Sequence, residues 1–137
     1  MTIHRRPRRG QALVEFALLL PFLLLLLLGV IEMGRAWNVK QVLTDAAREG
    51  ARLAVVADPT MTQARVDSLI YRVIARAGLD TTALTIGYPD GFKTGVGNIT
   101  AVELSIPYQF VALHNLAALV TNNGVMTLRT TARMRNE

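Results

Sequence analysis

Cysteine is absent from the 137 residues, and histidine occurs only twice, at His4 and His114. Without thiols the chain can form no disulfide, no thiolate nucleophile and no Cys-ligated zinc site, and two isolated imidazoles leave little for any other metal. Charge is also scarce: Asp, Glu, Lys and Arg make up 18% of the residues against 51% hydrophobic, and mean hydropathy is +0.32. Intrinsic disorder needs the opposite balance and is excluded. The length allows one small domain, and there is no internal repeat or low-complexity linker. Catalytic patterns are missing too. No Ser/His/Asp set or paired carboxylates emerge, and Gly95-Val96-Gly97 lacks the third glycine and the following helix that a phosphate cradle needs. His114, in an apolar stretch far from any nucleophile, is read as structural. Neither an enzyme, a cofactor nor a small-molecule substrate is expected.

The net charge of +5 is unevenly placed. Arg5, Arg6, Arg8 and Arg9 fall within the first ten residues, which hold no acid; from Gln11 onward 11 basic residues face 10 acidic ones. Next to this leader, Phe16 to Ile31 runs sixteen residues without a charge, and extension back to Ala12 makes twenty, with Glu15 the one ionisable group. Twenty helical residues span about 30 Å, the thickness of a bilayer's hydrocarbon core. A buried helix of a soluble protein would need apolar partners on every side of nine leucines between Leu18 and Leu28, more than the remaining residues can supply. The four arginines before the span and the mixed flank after it (Glu32, Arg35, Lys40) orient it with the N-terminus cytoplasmic and the body exported. That topogenic role accounts for RRPRR without nucleic acid. A cleaved secretory signal fits less well, because the apolar stretch is too long and the nearest small-residue cluster, Ala46-Ala47, comes some fifteen residues too late.

Glu15 needs a reason to be there, since an acid at the centre of a span costs on the order of 2.5 to 3.5 kcal/mol and less near the interface. The bland reading is a carboxyl close to the headgroups; the sharper one is an ion pair. Gly10-Gln11-Ala12-Leu13-Val14-Glu15-Phe16 sits between a basic leader and a long apolar helix. It resembles the processing site of type IV prepilins, with glycine before the scissile bond and glutamate as the fifth residue after it. The longer run RRGQALVEFALLLPFLLLLLLGVIEMGRAW, followed by QVLTDAAREGARLAV, resembles the TadE-like family, pseudopilins of tight-adherence (Flp-type) pilus systems, over about residues 8 to 57. Phe16 departs from the more usual tyrosine, keeping the ring and losing the hydroxyl. Gln11 would head the mature chain.

The resemblance implies a minor pilin- or pseudopilin-like subunit of the cytoplasmic membrane. Its partners would be the bilayer, a prepilin peptidase, other pilins or pseudopilins and the Tad assembly platform. Gly10 would offer the peptidase an unobstructed bond and a backbone free to extend. Cleavage would remove the arginines and leave the α-amine of Gln11 for Glu15 to neutralise, in its own chain or a neighbour's, a pairing that fixes register more than it adds stability. The alternative is an uncleaved single-pass protein whose exported head binds a ligand or partner. Pro21, without an amide hydrogen, is expected to kink or loosen the span.

Beyond the span the apolar residues Val39, Val42, Leu43, Ala46, Gly50, Leu53, Ala54 and Ala57 recur at helical spacing, with Lys40, Thr44, Asp45, Arg48 and Arg52 facing away. One helix from Ala12 to Ala57 would be about 69 Å long. Ala46, Gly50 and Ala54 form a small-residue ladder that allows a close backbone approach to a helix or sheet, as ordinary core more often than as a special interface. Trp37 is an interface anchor or a packing residue, the end of the span at Ile31 favouring the anchor slightly. Asp58-Pro59, or Thr60 with Gln63, is expected to start a second helix that ends at Gly78. Leu84, Ile86 and Tyr88 alternate as one strand, Val102, Leu104, Ile106 and Tyr108 as another. A third runs from Val125 to Met134, with Met126, Leu128, Ala132 and Met134 inward and Arg129 and Arg133 outward. PDGFKTGVGN is a turn-rich loop, and Phe110 to Val120 has no period that settles its type. The expected build is α+β: a leader (1–10), a transmembrane helix with its continuation (11–57), and a head (58–137) with a second helix and a three-stranded antiparallel sheet.

Overall fold

The computed structural model describes residues 9–56, 58, 60–93, 97–119 and 121–135, apart from the side chains of Arg9 and Asn122. Leucine and alanine, strong helix formers, dominate α1 (Arg9–Ala54), 46 residues that run through Pro21 without interruption. Its bounds lie three residues nearer the N-terminus than the apolar pattern suggested. At its end two β-branched residues follow, and the Val56 N–H reaches the Leu53 carbonyl three residues back, the tightened last turn common at helix ends.

Asp58 does not open the second helix. Its Oδ1 accepts hydrogen bonds from the Thr60 amide at 2.8 Å and hydroxyl at 2.7 Å, closing a side-chain turn that competes with helix. The helix α2 (Gln63–Arg76) therefore starts later, flanked by extended Thr62, which makes no side-chain cap bond. It ends at Gly78, where φ is +74°. The Gly78 amide there donates to the Ala75 carbonyl and the Leu79 amide to the Ile74 carbonyl, satisfying orphan carbonyls in the Schellman manner.

Three antiparallel strands in sequence order, β1 (Thr85–Gly87), β2 (Ile99–Gln109) and β3 (Val125–Arg135), form one sheet. On β2, Val102, Leu104, Ile106 and Tyr108 are buried, opposite Ala132, Thr130, Leu128 and Met126 of β3. Met126, expected inward, keeps the right parity but is exposed, because it sits near the end of the sheet. Pro107 is tolerated in the middle strand because β1 pairs only with Glu103 to Ser105, so that edge of β2 is already free at Pro107. The short helix α3 (His114–Ala117) and a single 3-10 turn (Asn122–Gly124) connect β2 to β3. The fold is thus α+β, with a long N-terminal apolar helix, a second helix and a small antiparallel sheet.

The second half of α1 is the centre of the core. Leu43, Ala46, Ala47, Ala51 and Ala54 are buried with Val66, Ile70 and Ile74 of α2 and Leu84, Val102, Leu104 and Ile106 of the sheet region. Both α2 and the sheet contact α1, so its buried arc is wider than one stripe and takes in Ala47 and Ala51. Lys40 and Thr44 do not face away. The Lys40 ammonium donates to the Arg129 carbonyl, and the Thr44 and Thr130 hydroxyls lie 3.2 Å apart, because the sheet covers that side of the helix.

Gly50 marks the close approach of the two helices: a Cβ there would meet Ile70 Cδ1 at 2.8 Å and Cγ1 at 3.0 Å. Gly50→Val is therefore expected to destabilise the head by about 3 kcal/mol through overpacking. In Gly50→Ala the helix-propensity gain of about 1 kcal/mol offsets a small shift of Ile70. Thermal unfolding of the full chain in detergent should show a large drop for valine and little change for alanine; equal stability of both variants would refute this account.

Candidate functional site: the start of α1 and its junction with the head

From Gln11 to Leu27 every residue of α1 is solvent-exposed in the isolated chain. Leucines that no part of the described chain covers need an apolar partner outside it. This half of α1 is long and apolar enough to cross a membrane, as the leucine run led one to expect, and it fits a single-pass membrane protein.

Near its start, the Gln11 side-chain amide donates to Glu15 Oε1 at 3.2 Å, one helical turn apart, because helical side chains lean toward the N-terminus and bring i and i+4 together. Gly10 is the second residue of α1, exposed, and a Cβ there would meet nothing within 4 Å. The backbone around Gly10 is therefore helical, not extended. Arg5, Arg6 and Arg8 lie outside the described residues, and of Arg9 only the backbone is described. Among the remaining candidates, Ala46, Gly50 and Ala54 are buried in the head, far along α1 from the Gln11–Glu15 pair. Trp37 is exposed.

A second polar centre, which the sequence patterns did not reveal, lies where the apolar run ends. Glu32 is 2% exposed, yet it has four partners. Its Oε1 accepts from the backbone amides of Val111 at 2.9 Å and Ala112 at 2.7 Å and lies 3.4 Å from Arg35 Nη1. Its Oε2 accepts from the Tyr108 hydroxyl at 2.9 Å. Burial opposes the charge, but the hydrogen bonds from Ala112, Tyr108 and Val111, together with Arg35, outweigh it and hold the carboxyl below its ordinary value. Burial and the same carboxylate push the Tyr108 phenol up, so it stays a donor. The Tyr108 ring packs edge-on against Phe110, with centroids 5.4 Å apart. The available sequence signal was an acid directly after the leucine run with an arginine at i+3; its partners, 76 to 80 residues away, have no local signature.

A second tyrosine–carboxylate bond secures the far side of the head, where the Tyr88 hydroxyl donates to Asp67 Oδ1 at 2.7 Å. Burial and that neighbour raise the Tyr88 pKa well above its usual value. His114 packs on Gly124, where a Cβ would meet its Nδ1 at 2.8 Å and where φ is +69°, a packing role in the β2–β3 connection. Among the described residues no group of three or more His, Cys, Asp or Glu side chains could hold a metal ion.

The apolar first half of α1, uncovered within the described chain and joined at Glu32 to a small α+β head, fits a single-pass membrane protein. Residues 10–52 match the model of the family described as TadE-like protein, so the matched segment begins at the glycine and ends in the buried part of α1. The match points to involvement in Tad pilus systems, and that pilus-associated family is not one of enzymes. No curated protein and no solved structure matches the chain.

Proposed function

We propose that this chain is a minor pilin- or pseudopilin-like subunit that serves assembly of a Tad (Flp-type) pilus or a related secretion machine and performs no catalysis. It would sit in the cytoplasmic membrane with its N-terminus cytoplasmic and its head exported, and be matured by a prepilin peptidase after Gly10. The observation that carries the reading is the TadE-like match from residue 10 on a helix whose apolar half has no cover within the described chain. The Gln11–Glu15 contact supports the ion pair: the carboxylate already leans toward the residue whose α-amine cleavage would expose. Other pilins or pseudopilins and the assembly platform would then meet the uncovered face of α1.

One observation favours the alternative of an uncleaved anchor with a partner-binding head. Arg9, Gly10 and Gln11 are helical, and a peptidase must unwind them, which the first turn of a helix permits at low cost. Sequencing the mature N-terminus separates the two. Protein isolated from its native host is expected to begin at Gln11, and Gly10→Leu should retain the leader. Since a Cβ at Gly10 meets nothing within 4 Å and the position is remote from the core of the head, the variant is expected to fold as the wild type does. An intact N-terminus in the wild type would favour the anchor.

A further inference from the structure

The connection between β2 and β3 carries a surface that the assembly reading does not use. Phe110 to Thr121 contains no Asp, Glu, Lys or Arg, and three of its apolar side chains point away from the protein: Val111 is 68% exposed, Leu116 51% and Leu119 82%. Its height along the molecule is set by Glu32, which holds the Val111 and Ala112 amides. Glu32 is the first residue after the apolar run ends at Ile31. The sheet runs the same way: β2 ends here at Gln109 and β3 begins here at Val125, opposite it. Farther along α1, Lys40 and Thr44 meet Arg129 and Thr130. The connection is therefore the end of the head nearest the membrane.

Its backbone is suited to such a place. Two amides at its start are taken by Glu32. The amides of Ala117, Ala118, Leu119 and Thr121 donate to the carbonyls of Leu113, His114, Leu116 and Ala117, and the Thr121 hydroxyl also donates to Ala117. Backbone donors at a lipid surface need partners within the protein, and apolar side chains beside a compact turn bind the headgroup–acyl boundary by burying their area there.

We propose that Val111, Leu116 and Leu119 insert into the bilayer interface on the head's side of the membrane, giving the protein a second contact with lipid beside α1. The occupant is the lipid surface itself, by continuity with the span, and this inference rests on the reading of α1 as a membrane span. Because the chain has no cysteine, single variants Val111→Cys and Leu119→Cys can carry an environment-sensitive fluorophore without background. Both side chains are exposed, so labelling costs no packing. Leu24→Cys reports the span and Ala64→Cys, exposed on α2, reports water.

The full chain is reconstituted in phosphatidylcholine–phosphatidylglycerol vesicles and titrated with lipids bearing a shallow or a deep nitroxide quencher. The expected result is quenching at 111 and 119 at least twofold stronger by the shallow nitroxide than by the deep one, deep quenching at 24, and none at 64. Quenching at 24 with 111 and 119 as unquenched as 64, and open to acrylamide, would overturn the lipid contact and leave the span standing. Labels at 111 and 119 shielded from both lipid quenchers and acrylamide would overturn it in favour of a second copy of the chain. No lipid quenching at 24 would remove the span and this inference together.

Discussion

Glu15→Leu is expected to abolish pilus assembly while leaving membrane insertion and N-terminal processing normal. The physical case starts from the partner of the side chain: among the described residues Glu15 accepts a hydrogen bond from Gln11, on a stretch of α1 that no other part of the described chain covers. Removal of the carboxylate cannot unfold the head, and it takes away a charge that a membrane disfavours. A protein in which Glu15 were incidental would therefore tolerate leucine or insert better. In the assembly reading the carboxylate neutralises the Gln11 amine in a dry contact between subunits, and breaking such a pair costs about 3 to 5 kcal/mol. Processing and piliation measured in the same mutant decide between these. Normal cleavage without pili is the expected pair of results; full piliation would take Glu15 out of the mechanism.

The second large effect is expected at Glu32. Alanine there removes a charged acceptor from two backbone amides and a buried phenol, each such bond contributing about 1.5 to 3 kcal/mol, and cavity formation adds to the loss. We expect Glu32→Ala to destabilise the head by at least about 3 kcal/mol and to free the 110–121 connection, seen as faster amide exchange at Val111 and Ala112. Glutamine keeps one acceptor for the amides and can donate to the Tyr108 oxygen, so Glu32→Gln should cost about 1 kcal/mol. The pH dependence separates the charge from the shape. The folded carboxyl lies below its ordinary value of 4.5, so its contribution is full above that value and is lost as pH falls through the lowered one. Glu32→Gln should flatten that part of the acid slope. Some slope remains, because Asp58 and Asp80, held low chiefly by bonds from Thr60 and Thr82, lose theirs in the same direction. An unchanged acid slope in Glu32→Gln would show that the carboxylate is not the group responsible.

Features with a strong local period were legible in the sequence. The leucine run gave a helix of about the right extent, and strict alternation placed Val102, Leu104, Ile106 and Tyr108 on the buried face of β2. Where a residue's role depends on a distant partner, local pattern misleads. Lys40 and Thr44 read as a solvent face but meet β3, because polarity says nothing of a carbonyl or hydroxyl some ninety residues away. Asp58 has the composition of a helix cap and spends its oxygen on a Thr60 turn instead. Glu32 is the largest omission: as a flank of the span it needed no further explanation, and only the return of β2 to the end of the apolar run gives it Tyr108, Val111 and Ala112. Of the residues proposed for processing and assembly, the structure supplies the Gln11–Glu15 contact and the exposure of Gly10, while the proposed cleavage and pairing between chains would involve molecules outside this one.

The continuity of α1 also has a mechanical meaning. Glu15 and Glu32 stand on one continuous helix about 26 Å apart, and Gly50 lies about 27 Å farther on, packed against α2 in the head. A pull along the axis at one end is therefore carried to the other through a single helix, like a rod fixed in its cap, with Pro21 the one residue on the way that cannot donate a backbone hydrogen bond. Should the apolar half be drawn out of its surroundings by a few ångströms, the Glu32 clasp and the loop it holds must rise by the same distance, so the head's height becomes a direct readout of how far the rod has travelled.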